Sequence, residues 1–140
     1  MIRSITGHPA LILALGCILC AVFIPTPSGL QAAPPPRSIP VNIGDYRFSP
    51  DRISVLPGET IRLELTNTDS LTPHNFTLQS EAAGLAVDID VSAGNTEVVE
   101  ITPQAPGTYT FYCNKKLPFM KSHRDRGMEG TLVVGPPGPD

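Results

Sequence analysis

Short β-prone segments separated by turn signals are the feature that most constrains how this chain can fold. Between Val41 and Val134, segments rich in Val, Ile, Thr, Phe and Tyr alternate with Pro-Gly, Asn-Thr-Asp and Ala-Gly-Asn. No stretch keeps a helical period for three turns, so helices are not expected. The predicted strands cover residues 41–48, 52–55, 60–66, 74–79, 85–91, 96–102, 107–113 and 130–134. Such a series is typical of an all-β fold, a two-sheet Greek-key β-sandwich.

The N-terminal segment has the pattern of a targeting signal. Arg3 precedes an apolar run at 10–24, and Ala32-Ala33 follows as a small-residue cleavage site. We predict a signal peptide over residues 1–32, a Pro-rich spacer over 33–40, one folded domain over 41–134 and a Pro/Gly tail over 135–140. A periplasmic or secreted location follows, without membrane attachment after cleavage. An uncleaved anchor is the alternative, although the apolar run is shorter than the ~20 residues of a spanning helix.

Export would leave a single thiol beside two imidazoles. The other two cysteines lie in the predicted signal peptide, so Cys113 has no partner for an internal disulfide. His74 opens one predicted strand, His123 lies in the loop after Cys113, and Met128 precedes the last strand. A thiolate, two imidazoles and a thioether are the ligands of a trigonal copper site with a weak axial Met. Because all four residues lie at strand ends or in one loop, they can meet at one end of the sandwich.

Four stretches of the chain carry a recognisable family pattern. They are YRFSPDRISVLPGETIRLELTN, the Pro-His-Asn-Phe segment at 73–76, GTYTFYC and SHRDRGMEGTLVV. In these stretches the sequence resembles the small blue copper proteins, the plastocyanin and azurin family of cupredoxins, across 41–134. The resemblance implies that His74, Cys113, His123 and Met128 bind one mononuclear copper ion. It also implies that Asn75 ties the two ligand loops together beside the Cys sulfur, where such bonds orient the ligands.

One departure from the family pattern concerns the loop between the second and third ligands. Nine residues, NKKLPFMKS, separate Cys113 from His123, whereas two to four are usual in the small family members. The four residues between His123 and Met128 are as the family predicts. Because of the long loop, the solvent exposure of the site does not follow from the family pattern. The loop also introduces Met120 as a second candidate for the axial ligand. Met128 is favoured because it lies in the family's Gly-Met-x-Gly context.

The charge pattern bears on possible partners. The chain has 10 Lys and Arg residues against 13 Asp and Glu residues, which gives no basic footprint for nucleic acid. Five cationic residues are nevertheless concentrated in one short segment, the basic cluster: Lys115, Lys116, Lys121, Arg124 and Arg126. The cluster is either an ordinary solvated face or a docking surface for an acidic redox protein, because complementary charge raises association rates.

The resemblance and the ligand set together predict an extracytoplasmic, monomeric carrier of single electrons, and not an enzyme. A multicopper enzyme would need several more histidines than this chain retains after export. A copper delivery or storage protein is the main alternative, and the long loop is consistent with it. A third alternative is a binding module that holds zinc, since two His, one Cys and an open position also suit Zn(II).

Overall fold

The computed structural model describes residues 35–136, which form nine strands in two sheets with almost no helix. The strands are β1 (Arg37–Gly44), β2 (Arg47–Ser49), β3 (Arg52–Val55), β4 (Ile61–Asn67), β5 (His74–Ser80), β6 (Leu85–Val91), β7 (Thr96–Ile101), β8 (Gly107–Tyr112) and β9 (Glu129–Val134). Two single 3₁₀ turns, Glu81–Ala83 and Arg124–Arg126, complete the architecture. The predicted all-β, two-sheet sandwich is confirmed. The predicted signal peptide and residues 137–140 lie outside the described residues.

The two sheets differ in strand order. One has the order β2-β1-β4-β7, and the other has the order β3-β9-β8-β5-β6. The pairs β1·β4 and β3·β9 are parallel, and the remaining pairs are antiparallel. Strands β5, β8 and β9 are therefore neighbours in the second sheet. Their ends, and the loop from β8 to β9, bring together residues that are far apart in sequence.

The core lies between the sheets and follows the alternation of the strands. In β4, Ile61, Leu63 and Leu65 are fully buried while the residues between them are more exposed, as expected for a strand with one face on the core. The rings of Phe48, Phe76 and Phe111 form the centre, with centroids 5.0–5.9 Å apart. Gly130 in β9 lies against Phe111 so closely that any Cβ atom there would overlap the ring.

The segment predicted as a single strand over 41–48 is instead two strands joined by a tight hairpin. Asp45 and Tyr46 form the turn, both in the left-handed region with φ of 49° and 56°. Positive φ at both central residues is the pattern of a type I′ turn, whose twist matches that of the flanking strands. Asn-Gly or Asp-Gly is the usual sequence there, so Asp-Tyr gave no signal for a hairpin.

Strand β1 also begins earlier than predicted, at Arg37 within the segment assigned to the spacer. Residues 37–40 pair in parallel with residues 61–64 of β4. Pro40 is compatible with this pairing because β2 covers only residues 42–44 of β1, which leaves Pro40 on an open edge where a missing N–H does no harm.

At the C-terminal end of the described residues, Gly135 donates its N–H to the carbonyl of Val55 at 2.9 Å. Within residues 35–136 no helix has the length and apolar character needed to cross a bilayer.

Candidate metal centre

Three of the four predicted ligands have their side chains together at one end of the sandwich. The two Nδ1 atoms of His74 and His123 are 3.1 Å apart. The Sγ atom of Cys113 lies 3.9 Å from Nδ1 of His74 and 3.4 Å from Nδ1 of His123. All three side chains are buried, with His123 the most exposed at 6%. Two imidazole nitrogens and a thiol sulfur thus converge on one point, and these donors suit a borderline-soft metal ion.

Backbone hydrogen bonds hold the segment that carries the remaining ligand candidates. The N–H of Cys113 donates to the carbonyl of Met128 at 3.1 Å, and the N–H of Met128 donates to the carbonyl of His123 at 3.1 Å. The N–H of His123 in turn donates to the carbonyl of Lys115 at 2.9 Å. Met128 is fully buried, whereas Met120 is 44% exposed on the long loop. The structure therefore places Met128 next to the cluster along the backbone and Met120 toward solvent.

Asn75 connects the segment of the first histidine to that of the cysteine. Its backbone N–H points at Sγ of Cys113 at 3.4 Å. Its side-chain oxygen accepts the N–H of Asn114 at 2.8 Å, and its amide nitrogen lies within 3.0 Å of oxygens on Thr77, Asp88 and Asn114. This is the arrangement that the family resemblance implies for Asn75. The network restricts movement of the sulfur relative to the His74 strand.

Asp69 contacts the far side of His74, and the sequence interpretation missed it. Nε2 of His74 donates to Oδ2 of Asp69 at 2.9 Å, since a carboxylate oxygen accepts, and Nδ1 is the ring nitrogen on the side of the sulfur. The hydrogen bond from His74 is the main cause that holds the pKa of Asp69 below its usual value. The carboxylate is therefore ionised at neutral pH. In the sequence, Asp69 belongs to an Asn-Thr-Asp turn signal, so its residue type suggested only a turn.

Tyr46 is a second contact that the sequence gave no reason to expect. Its ring meets His123 edge-on with centroids 4.9 Å apart and lies 6.1 Å from the His74 ring. The guanidinium of Arg126 lies 4.5 Å above the same tyrosine ring. Tyr46 lies in the left-handed hairpin turn between β1 and β2, so this turn is next to the two histidines. Tyr46 thus covers one side of the cluster.

Burial shifts the acid–base properties of two of the clustered groups. Desolvation raises the pKa of the Cys113 thiol and, with the neighbouring His74 and Arg126, lowers the pKa of His123. At neutral pH the imidazole of His123 is therefore neutral, as a metal ligand must be. A metal ion would replace the thiol proton of Cys113, since the thiolate is the form that binds.

A cavity of about 320 Å³ opens beside His123. Its lining residues are Tyr46, Leu71, Thr72, Pro73, Lys115, Lys116, Leu117 and His123. Of the cluster, only His123 reaches this cavity. His123 is therefore the member of the cluster that borders this opening to the surface.

Two residues of the basic cluster, Lys115 and Lys116, line this cavity, and the charge of the cluster is partly neutralised. Lys115 pairs with Asp90 at 2.7 Å and Arg124 pairs with Glu129 at 3.3 Å. Hydrogen bonds with Ser122 are the main cause that lowers the pKa of Asp125, and the nearby Lys116 and Lys121 lower it further. The local excess of positive charge is thus smaller than the sequence count suggests.

Comparisons with known proteins place the chain in a family. The family model for a cupredoxin-like domain matches residues 12–134. The plastocyanin of Dryopteris crassirhizoma is 30% identical over 103 residues, which cover 66% of this chain and 91% of that protein. A chloroplastic plastocyanin of Physcomitrium patens is 34% identical over 97 residues, and the match covers 65% of this chain but only 52% of that protein. The structure of auracyanin B superposes with a TM-score of 0.57 at 25% identity, over 78% of this chain and 96% of that one.

The donor set fits what this family binds. Two imidazoles and a thiol within 3.9 Å of one another, buried at one end of a β-sandwich, match the nitrogen and sulfur ligands of a trigonal copper ion. The copper cofactor predicted from the sequence is in agreement with both the family and the cluster. The chain therefore belongs to the cupredoxin-like family, the family of the blue copper proteins.

Proposed function

We propose that this protein is a mononuclear copper protein that carries single electrons between redox partners outside the cytoplasm. His74, Cys113 and His123 would hold the copper ion through their nitrogen and sulfur atoms, and Met128 would be the fourth ligand. The convergence of two Nδ1 atoms and one Sγ atom in a buried pocket is the observation that carries the proposal. When bound, the copper supplies the chemistry by alternating between Cu(I) and Cu(II).

The residues of the chain contribute rigidity. His74 and Cys113 lie at the ends of paired strands, and Asn75 links the segments that carry them. Backbone hydrogen bonds connect Cys113 to Met128 and Met128 to His123. Ligands held in this way need to move little when the charge of the ion changes, so the reorganisation that accompanies electron transfer is small. The buried sulfur is also shielded from water, which protects it from oxidation.

Met128 is preferred over Met120 as the residue that would be the fourth ligand, because of its position. Met128 is fully buried and shares backbone hydrogen bonds with two other ligands. Met120 is 44% exposed at a turn whose closing hydrogen bond joins its N–H to the carbonyl of Leu117 at 3.2 Å. Replacing Met128 by Leu should alter the spectrum of the copper form, whereas Met120→Leu should leave it unchanged.

The long loop supports a docking surface beside the cavity. Leu71 and Leu117 are 90% and 60% exposed and line the cavity beside His123 together with Pro73, and Phe119, further along the same loop as Leu117, is 107% exposed. Phe119 has a φ of 62° at the third position of its turn, a conformation unfavourable for a bulky residue. An exposed aromatic ring held at such a cost is typical of a contact surface. The partner is an acidic redox protein with an apolar centre to its docking face.

Charge reversal tests the docking surface. The double variant Lys116→Glu and Lys121→Glu should slow electron transfer to an acidic acceptor and weaken its dependence on ionic strength. Arg62→Glu is the matched control, because Arg62 lies toward the other end of β4 from the site and is also exposed. Equal rates for the two variants, or a wild-type rate that does not change with salt, would remove the docking proposal.

Copper addition tests the central proposal. Purified protein titrated with Cu(II) should develop an intense blue or green colour and the electron-spin spectrum of a copper–thiolate site. Cys113→Ser should abolish the colour, and His123→Ala should change it strongly. A reversible one-electron midpoint potential completes the case for a carrier. The proposal would be refuted if wild-type protein bound copper or zinc without colour and Cys113→Ser gave the same spectra as wild type.

Copper delivery is the second candidate, and the cavity at His123 is the observation that favours it. A chelating group of another protein could approach the ion through this opening. The two functions differ in how fast copper leaves. A carrier should retain copper for hours against a chelator in excess, whereas a delivery protein should transfer it within minutes to an apo-protein acceptor.

The extracytoplasmic location is also part of the proposal, supported by the leader-like pattern at 1–32. Fractionation of cells that express the full chain, with N-terminal sequencing of the product, tests both the location and the cleavage site.

A further inference from the structure

The carboxylate of Asp69 contacts His74 on the side of the ring that faces away from the cysteine. His74 is completely buried, and its Nε2–H donates to Oδ2 of Asp69 at 2.9 Å, on the opposite side of the ring from the sulfur. Asp69 is 20% exposed in its side chain. In the described part of the chain, its only ion-pair contact is with this imidazole. Its negative charge is therefore directed to His74.

Asp69 is itself held in place by the neighbouring turn. Its second oxygen, Oδ1, accepts the backbone N–H of Asp45 at 3.2 Å. Its own N–H donates to the side-chain oxygen of Asn67 at 3.0 Å, and the amide of the buried Asn67 donates to the carbonyl of Val91 at 2.9 Å. A Cβ atom on Gly44 would lie only 3.0 Å from Oδ1, so the hairpin packs directly against the carboxylate. The position of the charge is thus built into the fold.

An anion on the outer nitrogen of a metal-bound histidine has two effects. It fixes the tautomer, since the N–H must point at the carboxylate and the other nitrogen must face the metal. It also makes the imidazole a stronger electron donor, which stabilises the more highly charged state of a metal ion. A neutral acceptor in the same place would give the first effect and little of the second.

We propose that Asp69 is a positioning residue of the copper site, which orients His74 and lowers the midpoint potential by favouring Cu(II) over Cu(I). This inference rests on the proposed copper-binding function. The carboxylate, His74 and the copper ion would form a carboxylate–histidine–metal triad. The β1–β2 hairpin contributes to the potential through its contact with Asp69, although no residue of the hairpin is a ligand.

Two substitutions separate the charge of Asp69 from its hydrogen bond. Asp69→Asn keeps an acceptor of the same size and removes the charge, and Asp69→Ala removes both. Asp90→Asn is the control, because Asp90 is an exposed carboxylate that pairs with Lys115 beside the cysteine loop and does not contact His74. Any general effect of removing a negative charge near the site should appear in this control.

The first measurement needs no copper. Long-range ¹⁵N–¹H NMR of the metal-free protein reports which nitrogen of His74 carries the proton. Wild-type protein and Asp90→Asn should show the proton on Nε2, and Asp69→Ala should show a mixture of tautomers. A wild-type protein with the proton on Nδ1, or a tautomer unaffected in Asp69→Ala, would overturn the positioning role.

The second measurement compares the two oxidation states. Asp69→Asn should weaken Cu(II) binding by about 10- to 100-fold, in the range expected for outer-shell substitutions, with a smaller loss for Cu(I). A tenfold selective loss corresponds to a rise of about 59 mV in the midpoint potential. Equal shifts in Asp69→Asn and Asp90→Asn would overturn the inference. Failure of wild-type protein to form a coloured copper site would instead overturn the proposed function, and the NMR result distinguishes the two cases.

Discussion

The amide of Asn75 should be the largest polar contribution to the stability of the ligand-bearing end. Its nitrogen carries two hydrogens for three oxygens at 2.7–3.0 Å, and its oxygen accepts one N–H at 2.8 Å. Asn75→Ala therefore removes about three hydrogen bonds, each worth about 1 kcal/mol net. Because Asp88 and Asn114 are exposed, water can replace part of this loss. We expect the free energy of unfolding to fall by about 2 kcal/mol.

Urea denaturation of the metal-free protein measures this change. With an m-value of about 1.5 kcal/mol/M for a domain of this size, the midpoint should fall by about 1.3 M. Asn42→Ala is a suitable control, since Asn42 is an exposed asparagine in β1, and it should change the free energy of unfolding by less than about 0.5 kcal/mol. The copper form of Asn75→Ala should also show a shifted thiolate absorption band, because the sulfur loses a fixed neighbour.

A urea midpoint for Asn75→Ala within about 0.2 M of the wild-type midpoint, the error of such fits, would refute this reasoning. It would mean that the amide bonds exchange for water without cost. The segments of His74 and Cys113 would then be joined by the strands alone, and Asn75 would have no role in holding them.

Three other predictions concern backbone and charge. Gly130→Ala should cost at least about 2 kcal/mol because its Cβ would overlap a core ring, whereas Gly135→Ala, with open space around it, should be neutral in thermal unfolding. Tyr46→Gly should be more stable than Tyr46→Ala by about 1 kcal/mol, since only glycine tolerates a φ of 56° without strain, and the reverse order would contradict the turn geometry. The pKa of Glu59 is lowered, chiefly by its hydrogen bond from Arg37. The ion pair therefore stabilises the fold above the ordinary carboxyl pKa, and this stabilisation disappears as pH falls through the lower pKa of the folded state. The free energies of unfolding of wild type and Glu59→Gln should converge in acid. A constant difference between them would exclude this ion pair as the cause.

The strand pattern and the ligand types could be predicted because each depends on local chemistry. Alternation of apolar and polar residues marks a strand such as β4 whatever surrounds it, and turn signals mark where strands end. A thiol, two imidazoles and a thioether likewise limit which metal ions the site can prefer, because each ligand type favours certain metals. The family resemblance supplied what residue types alone do not, the role of Asn75, and the hydrogen bonds to Asn114 and Cys113 agree with it.

What the sequence did not reveal depends on contacts across the fold. The hairpin at Asp45 and Tyr46 lacks the glycine or asparagine that normally signals positive φ, so packing of the tyrosine ring outweighs local preference there. Asp69 is a residue type common in turns, and only the three-dimensional arrangement shows that it faces His74. The open edge that accepts Pro40 is likewise a property of the sheet and not of the Pro-rich segment.

The interior position of β9 has a consequence for when copper can be acquired. This strand lies between β3 and β8, although it is the last strand of the domain in sequence. While a ribosome is still adding residues 129–134, the nascent chain lacks an interior strand of its larger sheet. His123 and Met128, which immediately precede that strand, then have no surface against which to settle. Metal capture is thereby confined to the finished polypeptide, and a chain in the course of synthesis should not bind copper at this site.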